Sequence, residues 1–117
     1  MITPWGNSDS EKHYERGLTW VGTPPHSGFL VGKAYARKHL TPAAQAVGEP
    51  FGQYLAFEED CKAAVILFEL PATREGFSSV SDAELIHSLS VWESGYLAAR
   101  AIAPTAEPVN FGGGGGM

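Results

Sequence analysis

Glu58, Glu59 and Asp60 stand side by side between the apolar runs Tyr54-Leu55-Ala56-Phe57 and Ala63-Ala64-Val65-Ile66-Leu67-Phe68. Adjacent carboxylates repel one another, and an unpaired charge taken into the interior costs several kcal/mol. The triplet must therefore stay at the surface where one buried element hands over to the next, either as the solvated start of a helix or as part of a site. Carboxylates complement the positive end of a helix, each by a few tenths to about 1 kcal/mol when exposed. That argument predicts a helix over 58–68, stopped by Pro71, although the branched residues Val65 and Ile66 also suit a strand.

The rest of the chain is punctuated by glycine and proline. Residues 1–17 are turn-rich, with Trp5 as the one large anchor, which is expected to dock this lead-in onto the core. Leu18-Thr19-Trp20-Val21-Gly22 and Phe29-Leu30-Val31 have the aromatic and branched composition of strands, and Phe51 to Phe57 reads as a third. Between the first two lies Thr23-Pro24-Pro25-His26-Ser27. Two prolines lack the N–H that a central ladder needs, so this is a stiff connection that presents His26 in one direction.

Lys33 to His39 has the spacing of a short basic helix, with Tyr35 and Leu40 turned to the core. Thr41-Pro42-Ala43-Ala44 is a capped helix start that Gly48 and Pro50 end. Residues 72–80 read as a loop with one turn at Thr73-Arg74-Glu75. Ser81-Asp82-Ala83-Glu84 matches a capping box. Leu85, Leu89, Trp92 and Tyr96 then recur at helical spacing, flanked by Ile86 and Leu97, and predict one helix to about Ile102 with Gly95 as its weak spot. The fold class expected is α+β: a small antiparallel sheet of about three strands with helices packed on one face. Residues 1–103 should form a single domain, and 104–117, with two prolines and a five-glycine run, a mobile tail.

At 117 residues the chain can bury roughly two-thirds of its unfolded surface in one core. Its net charge of −5 has the wrong sign for attachment to phosphates, so direct nucleic-acid binding is not expected and a basic protein surface suits it better. One cysteine, Cys61, cannot form a disulfide within the chain. Residues 1–10 lack a basic start and an apolar stretch, so no signal peptide is expected, and no apolar run is long enough to span a membrane. A cytoplasmic location follows as the expectation.

Trp5-Gly6, Gly17-Leu18, Val21, then Thr23-Pro24-Pro25-His26-Ser27-Gly28-Phe29, Phe57-Glu58-Glu59-Asp60-Cys61 and Pro71 together resemble an uncharacterised domain family of bacterial, phage and mobile-element proteins. Its pattern is T-P-S-H-G-G followed by Ile or Phe, and some thirty residues later an aromatic residue, E-E-D and often Cys. The chain departs from it at Pro25, where Ser is usual, and at Ser27, where Gly is usual. The resemblance covers roughly residues 4–100 and brings no chemistry with it. What it implies is a phage or mobile-element setting, in which small acidic proteins block a host defence or regulatory complex by binding, as anti-CRISPR inhibitors do.

His26 with Glu58, Glu59 and Asp60 carries groups suited to proton transfer or metal ligation. No HxH, HExxH or CxxC spacing supports a metal, and no cofactor signature occurs, so neither is expected. A hydrogen bond from His26 to one of the carboxylates, pinning the proline turn to the start of the next element, explains both motifs at once. Cys61 beside three carboxylates is disfavoured as a thiolate and is expected as a small buried residue. Two functions remain. One is a binding module that inhibits a host protein complex through Glu58, Glu59 and Asp60 with Trp20 and Tyr54 as aromatic contacts. The other is a small hydrolase or transferase using His26 with those carboxylates. The lack of a nucleophile context weighs against the enzyme.

Overall fold

The apolar segments near 18, 29 and 54 form the middle of a larger sheet than their number suggests. The computed structural model describes residues 1–77 and 80–104. A two-stranded hairpin, β1 (Ile2–Thr3) and β2 (Gly6–Asn7), precedes β3 (Ser10–Glu15), β4 (Leu18–Gly22) and β5 (Ser27–Gly32). Helices α1 (Lys33–His39) and α2 (Pro42–Val47) lead to β6 (Glu49–Phe51) and β7 (Tyr54–Glu58). Helix α3 (Ala63–Glu69), a 3₁₀ turn (Pro71–Gly76), α4 (Asp82–Trp92) and α5 (Ser94–Ala99) complete the order. The main sheet is antiparallel throughout and runs β3-β4-β5-β7-β6.

The α+β class is therefore observed, but with five strands and a separate two-stranded ribbon where about three strands were expected. Ser10–Glu15 escaped because it is an edge strand: all of it is exposed except Tyr14, so it carries almost no apolar signal. The run at 51–57 is a hairpin of two strands, turned at Gly52-Gln53, where Gly52 takes the positive φ of +58° that glycine accepts without strain.

Alternation along the strands sorts the core into two layers. Leu18 and Phe29, Val31, Leu55 and Phe57 face the helices and meet Ala36, Ala44, Val65, Ile66, Leu85, Leu89, Tyr96 and Leu97. Burying a side chain such as Phe29 or Phe57, both fully enclosed, is worth about 1.5–3 kcal/mol. Val21, Leu30 and Ala56 point the other way into a small cluster covered by Trp5 and Tyr54, with no helical residue in it. Trp5 thus anchors the lead-in, as its size predicts.

The helices α1 and α2 follow the expected punctuation: Thr41 accepts the Ala44 N–H at 3.2 Å, Pro42 opens α2 and Gly48 closes it. Two helices differ from expectation. The segment expected as helix over 58–68 begins as strand, because Glu58 is still in register opposite Gly28, and helix α3 starts only at Ala63. The long helix expected from Ser81 breaks at Glu93, whose φ of −139° and ψ of 51° leave the helical region. The break turns Tyr96 and Leu97 into the core and leaves Trp92, expected on the buried stripe, 64% exposed. The capping box at Ser81 and Glu84 forms in full, and the loop at 72–80 does contain a turn, the 3₁₀ segment.

One buried carboxylate ties three helices together. Glu69, whose side chain is 3% exposed, accepts from the Thr41 N–H at 2.9 Å, the Tyr96 hydroxyl at 2.6 Å and the Arg100 guanidinium at 2.7 Å, besides the Thr41 hydroxyl. Burial and then Glu69 push the Tyr96 phenol well above its ordinary range. Among the described residues no helix is long and apolar enough to cross a membrane. The tail expected over 104–117 lies, from residue 105 on, outside the described residues.

Candidate functional site: an acidic corner braced by His26

The connection between β4 and β5 is closed by one side chain. The Thr23 N–H and hydroxyl both donate to the His26 carbonyl, at 2.7 and 2.6 Å, and the Thr23 hydroxyl oxygen accepts the His26 N–H at 3.1 Å. Pro24 and Pro25, which have no N–H to satisfy, fill the middle of this four-residue turn. The imidazole is therefore carried on a rigid mount beside the first residues of β5.

The acid triplet arrives at the same place through sheet register. Glu58 ends β7 opposite Gly28, and the Glu59 N–H extends the ladder by one more bond, to the Ser27 carbonyl at 3.0 Å. The Glu59 carboxylate returns the contact by accepting the Ser27 N–H at 3.1 Å. Residues 59–62 then turn into α3. Close approach at this point depends on Gly28. A methyl group there would meet the Trp5 ring at 2.4 Å and the Phe57 carbonyl oxygen at 2.6 Å, inside any permitted contact.

His26 Nδ1 lies 3.0 Å from a Glu58 carboxylate oxygen, with the two side chains 44% and 34% exposed. The sequence-level expectation that the histidine meets the triplet is thus realised, with Glu58 as the partner. Asp60 joins them: one ligand atom from each of His26, Glu58 and Asp60 falls within 4.8 Å of the others, a spacing that a divalent cation can bridge. The corner offers three exposed or half-exposed carboxylates, of which Glu58 and Glu59 are held by His26 and the Ser27 N–H, a ring nitrogen, and Lys62 turned aside to Glu49 at 3.5 Å.

Cys61 is half-buried in the turn, not in the core where it was expected. Burial first, then the Glu93 and Glu58 carboxylates, push its thiol above the ordinary range, so it is protonated at neutral pH and a poor nucleophile or ligand. The two aromatic residues proposed as contacts part company. Tyr54 shares the face of β7 that carries Glu58 and covers Ala56. Trp20 lies on the helical face, edge-on to Phe29 at 4.9 Å and to Phe77 at 5.1 Å, so the structure does not bring it to the corner.

Sequence reasoning missed the Glu69 network and a second acidic region at the far end of the sheet, around Glu15 and Glu75. The one signal for the former was the Tyr96 and Arg100 pair at helical spacing. For the latter there was none, because Tyr14 and Glu15 had not been placed on a strand.

A model of one protein family, described as "Domain of unknown function (DUF7007)", matches residues 1–107. No curated protein and no solved structure gives a significant match.

Proposed function

Since the chain belongs to the family Domain of unknown function (DUF7007), a description that carries no activity, we propose from the geometry of the corner that the protein is a binding module presenting a preorganised acidic surface to a basic patch on a protein partner. The observation that supports this most is the double fixing of the triplet: His26 holds Glu58, and the Ser27 backbone holds Glu59 through both its amide and its carboxylate. Charged groups fixed in advance lose little conformational freedom on association, and complementary potential steers the encounter. A phage or mobile-element inhibitor of a host defence or regulatory complex, acting in the bacterial cytoplasm, fits a small acidic domain of this kind. Such a function requires a surface and no catalytic set.

The test replaces charge and keeps shape. Glu59→Gln with Asp60→Asn is expected to abolish capture of a partner from host lysate that the unaltered protein retains, while the urea unfolding midpoint stays the same. Unfolding of the variant without a separable binding defect overturns the reading.

A second reading, a small hydrolase or transferase, draws on the His26, Glu58 and Asp60 spacing, which would let the corner hold a divalent ion that activates water. It requires Zn²⁺ or Mn²⁺ to raise the unfolding midpoint of the protein and to lose that effect in His26→Ala.

A further inference from the structure

At the opposite ends of β4 and β5 from the His26 corner, a cleft of about 360 Å³ opens between β3, α1, the end of α3 and the 3₁₀ turn. That volume lies within the range of small-ligand sites. Leu18, Leu70 and Pro71 give it an apolar lining, and Tyr14 and Tyr35 supply aromatic walls. Among the described residues three carboxylates line it, those of Glu15, Glu69 and Glu75, and no Lys, Arg or His does.

The three are not equivalent. Glu69 is already neutralised by Arg100 and saturated with donors, so it is a structural member of the wall. Glu15 accepts the Tyr35 hydroxyl at 3.0 Å, and neither Glu15 nor Glu75 forms an ion pair among the described residues. Both tyrosines register the charge: burial and then Glu15 push the Tyr35 phenol up to about 12, and burial and then Glu75 raise Tyr14. Lys12 lies 5.0 Å over the Tyr14 ring but does not line the cleft. Cations flank both ends without lining the cleft: Arg16 and Lys38 line the neighbouring groove beside Glu15, and Lys12 Nζ lies beside Gly76, next to Glu75.

Anions are repelled from such a cleft, and a neutral ligand leaves its carboxylates unused. A cation on a short aliphatic stem uses both features, with the stem against Leu18, Leu70 and the rings and the charge between Glu15 and Glu75. We infer that this cleft binds an alkylguanidinium or alkylammonium group, presented by a small molecule or by an arginine or lysine side chain of a partner. The inference is independent of the His26 corner.

Titration of the ¹⁵N-labelled protein with butylguanidinium tests it, with butylurea as the uncharged compound of the same shape. The expected result is saturable amide shifts at residues 70–75 with a dissociation constant on the order of 1 mM. Butylurea should give none, and Glu75→Gln, an exposed position on the turn, should weaken the cation at least about fivefold. A capped Gly-Gly-Arg-Gly-Gly peptide distinguishes the sources: comparable or tighter binding identifies a partner's side chain, and binding of butylguanidinium alone identifies a small molecule. No saturable shift with either cation, equal binding of butylurea, or unchanged affinity in Glu75→Gln overturns the assignment.

Discussion

Glu69 and Asp60 are both carboxylates near the ends of α3, yet their removal should read differently because one is enclosed and the other is not. Glu69→Ala strips an acceptor from Thr41, Tyr96 and Arg100 at once and leaves a half-buried guanidinium without its partner. The expected cost is about 2–4 kcal/mol, below the upper end for a fully buried pair because the Arg100 side chain is 30% exposed. Urea denaturation measures it directly. The triplet itself is surface charge, and the same measurement on the neutralised corner should move by no more than about 0.5 kcal/mol. A carboxylate's cost of removal thus follows from what donates to it, which residue type alone does not reveal.

Elements whose signal is local were legible in the sequence, and those set by neighbours were not. Strands β4 and β5 announce themselves through Leu18 to Val21 and Phe29 to Val31 because both faces of these central strands are covered. Thr41 with Pro42, and Ser81 with Glu84, are legible because a cap is made of adjacent residues. Ser81→Ala should accordingly destabilise by about 0.5–2 kcal/mol, read as a lower thermal midpoint. Strand β3 was hidden because its pairing partner, not its own composition, makes it a strand. The delayed start of α3 has the same origin: the ladder to Gly28 and Ser27 extends through Glu58 and Glu59, and this outweighs the small helix-dipole term that predicted a helix there. The break at Glu93 follows from the docking of Tyr96 against Glu69, a contact between residues far apart in the chain. At the site, the meeting of His26 with the triplet was legible because a proline turn and a charged strand end have few ways to satisfy each other. Which of the three carboxylates the ring meets, and the absence of Trp20 from the corner, were not, since both depend on strand register.

Across the molecule, tyrosine burial sets the alkaline limit of stability. Tyr35 and Tyr96 both have phenols raised in the folded state, so the native protein holds protons that the unfolded chain gives up from about pH 10. Their contribution is complete below that pH and is lost as pH rises toward and beyond 12, so the unfolding free energy should fall over this window. Tyr96→Phe should flatten the fall, as followed by urea midpoints across the pH series. The molecule otherwise separates its two acidic regions, the braced corner at one end of the central strands and the tyrosine-walled cleft at the other. Of these the corner carries the proposed function, and its claim is that rigidity, not negative charge alone, makes the surface bind. His26→Ala separates the two, because it removes the ring that braces Glu58 while leaving every carboxylate in place. Measured against the partner captured by the unaltered protein, its affinity should fall about tenfold, equivalent to roughly 1.4 kcal/mol. Equal or tighter binding by His26→Ala would contradict the account.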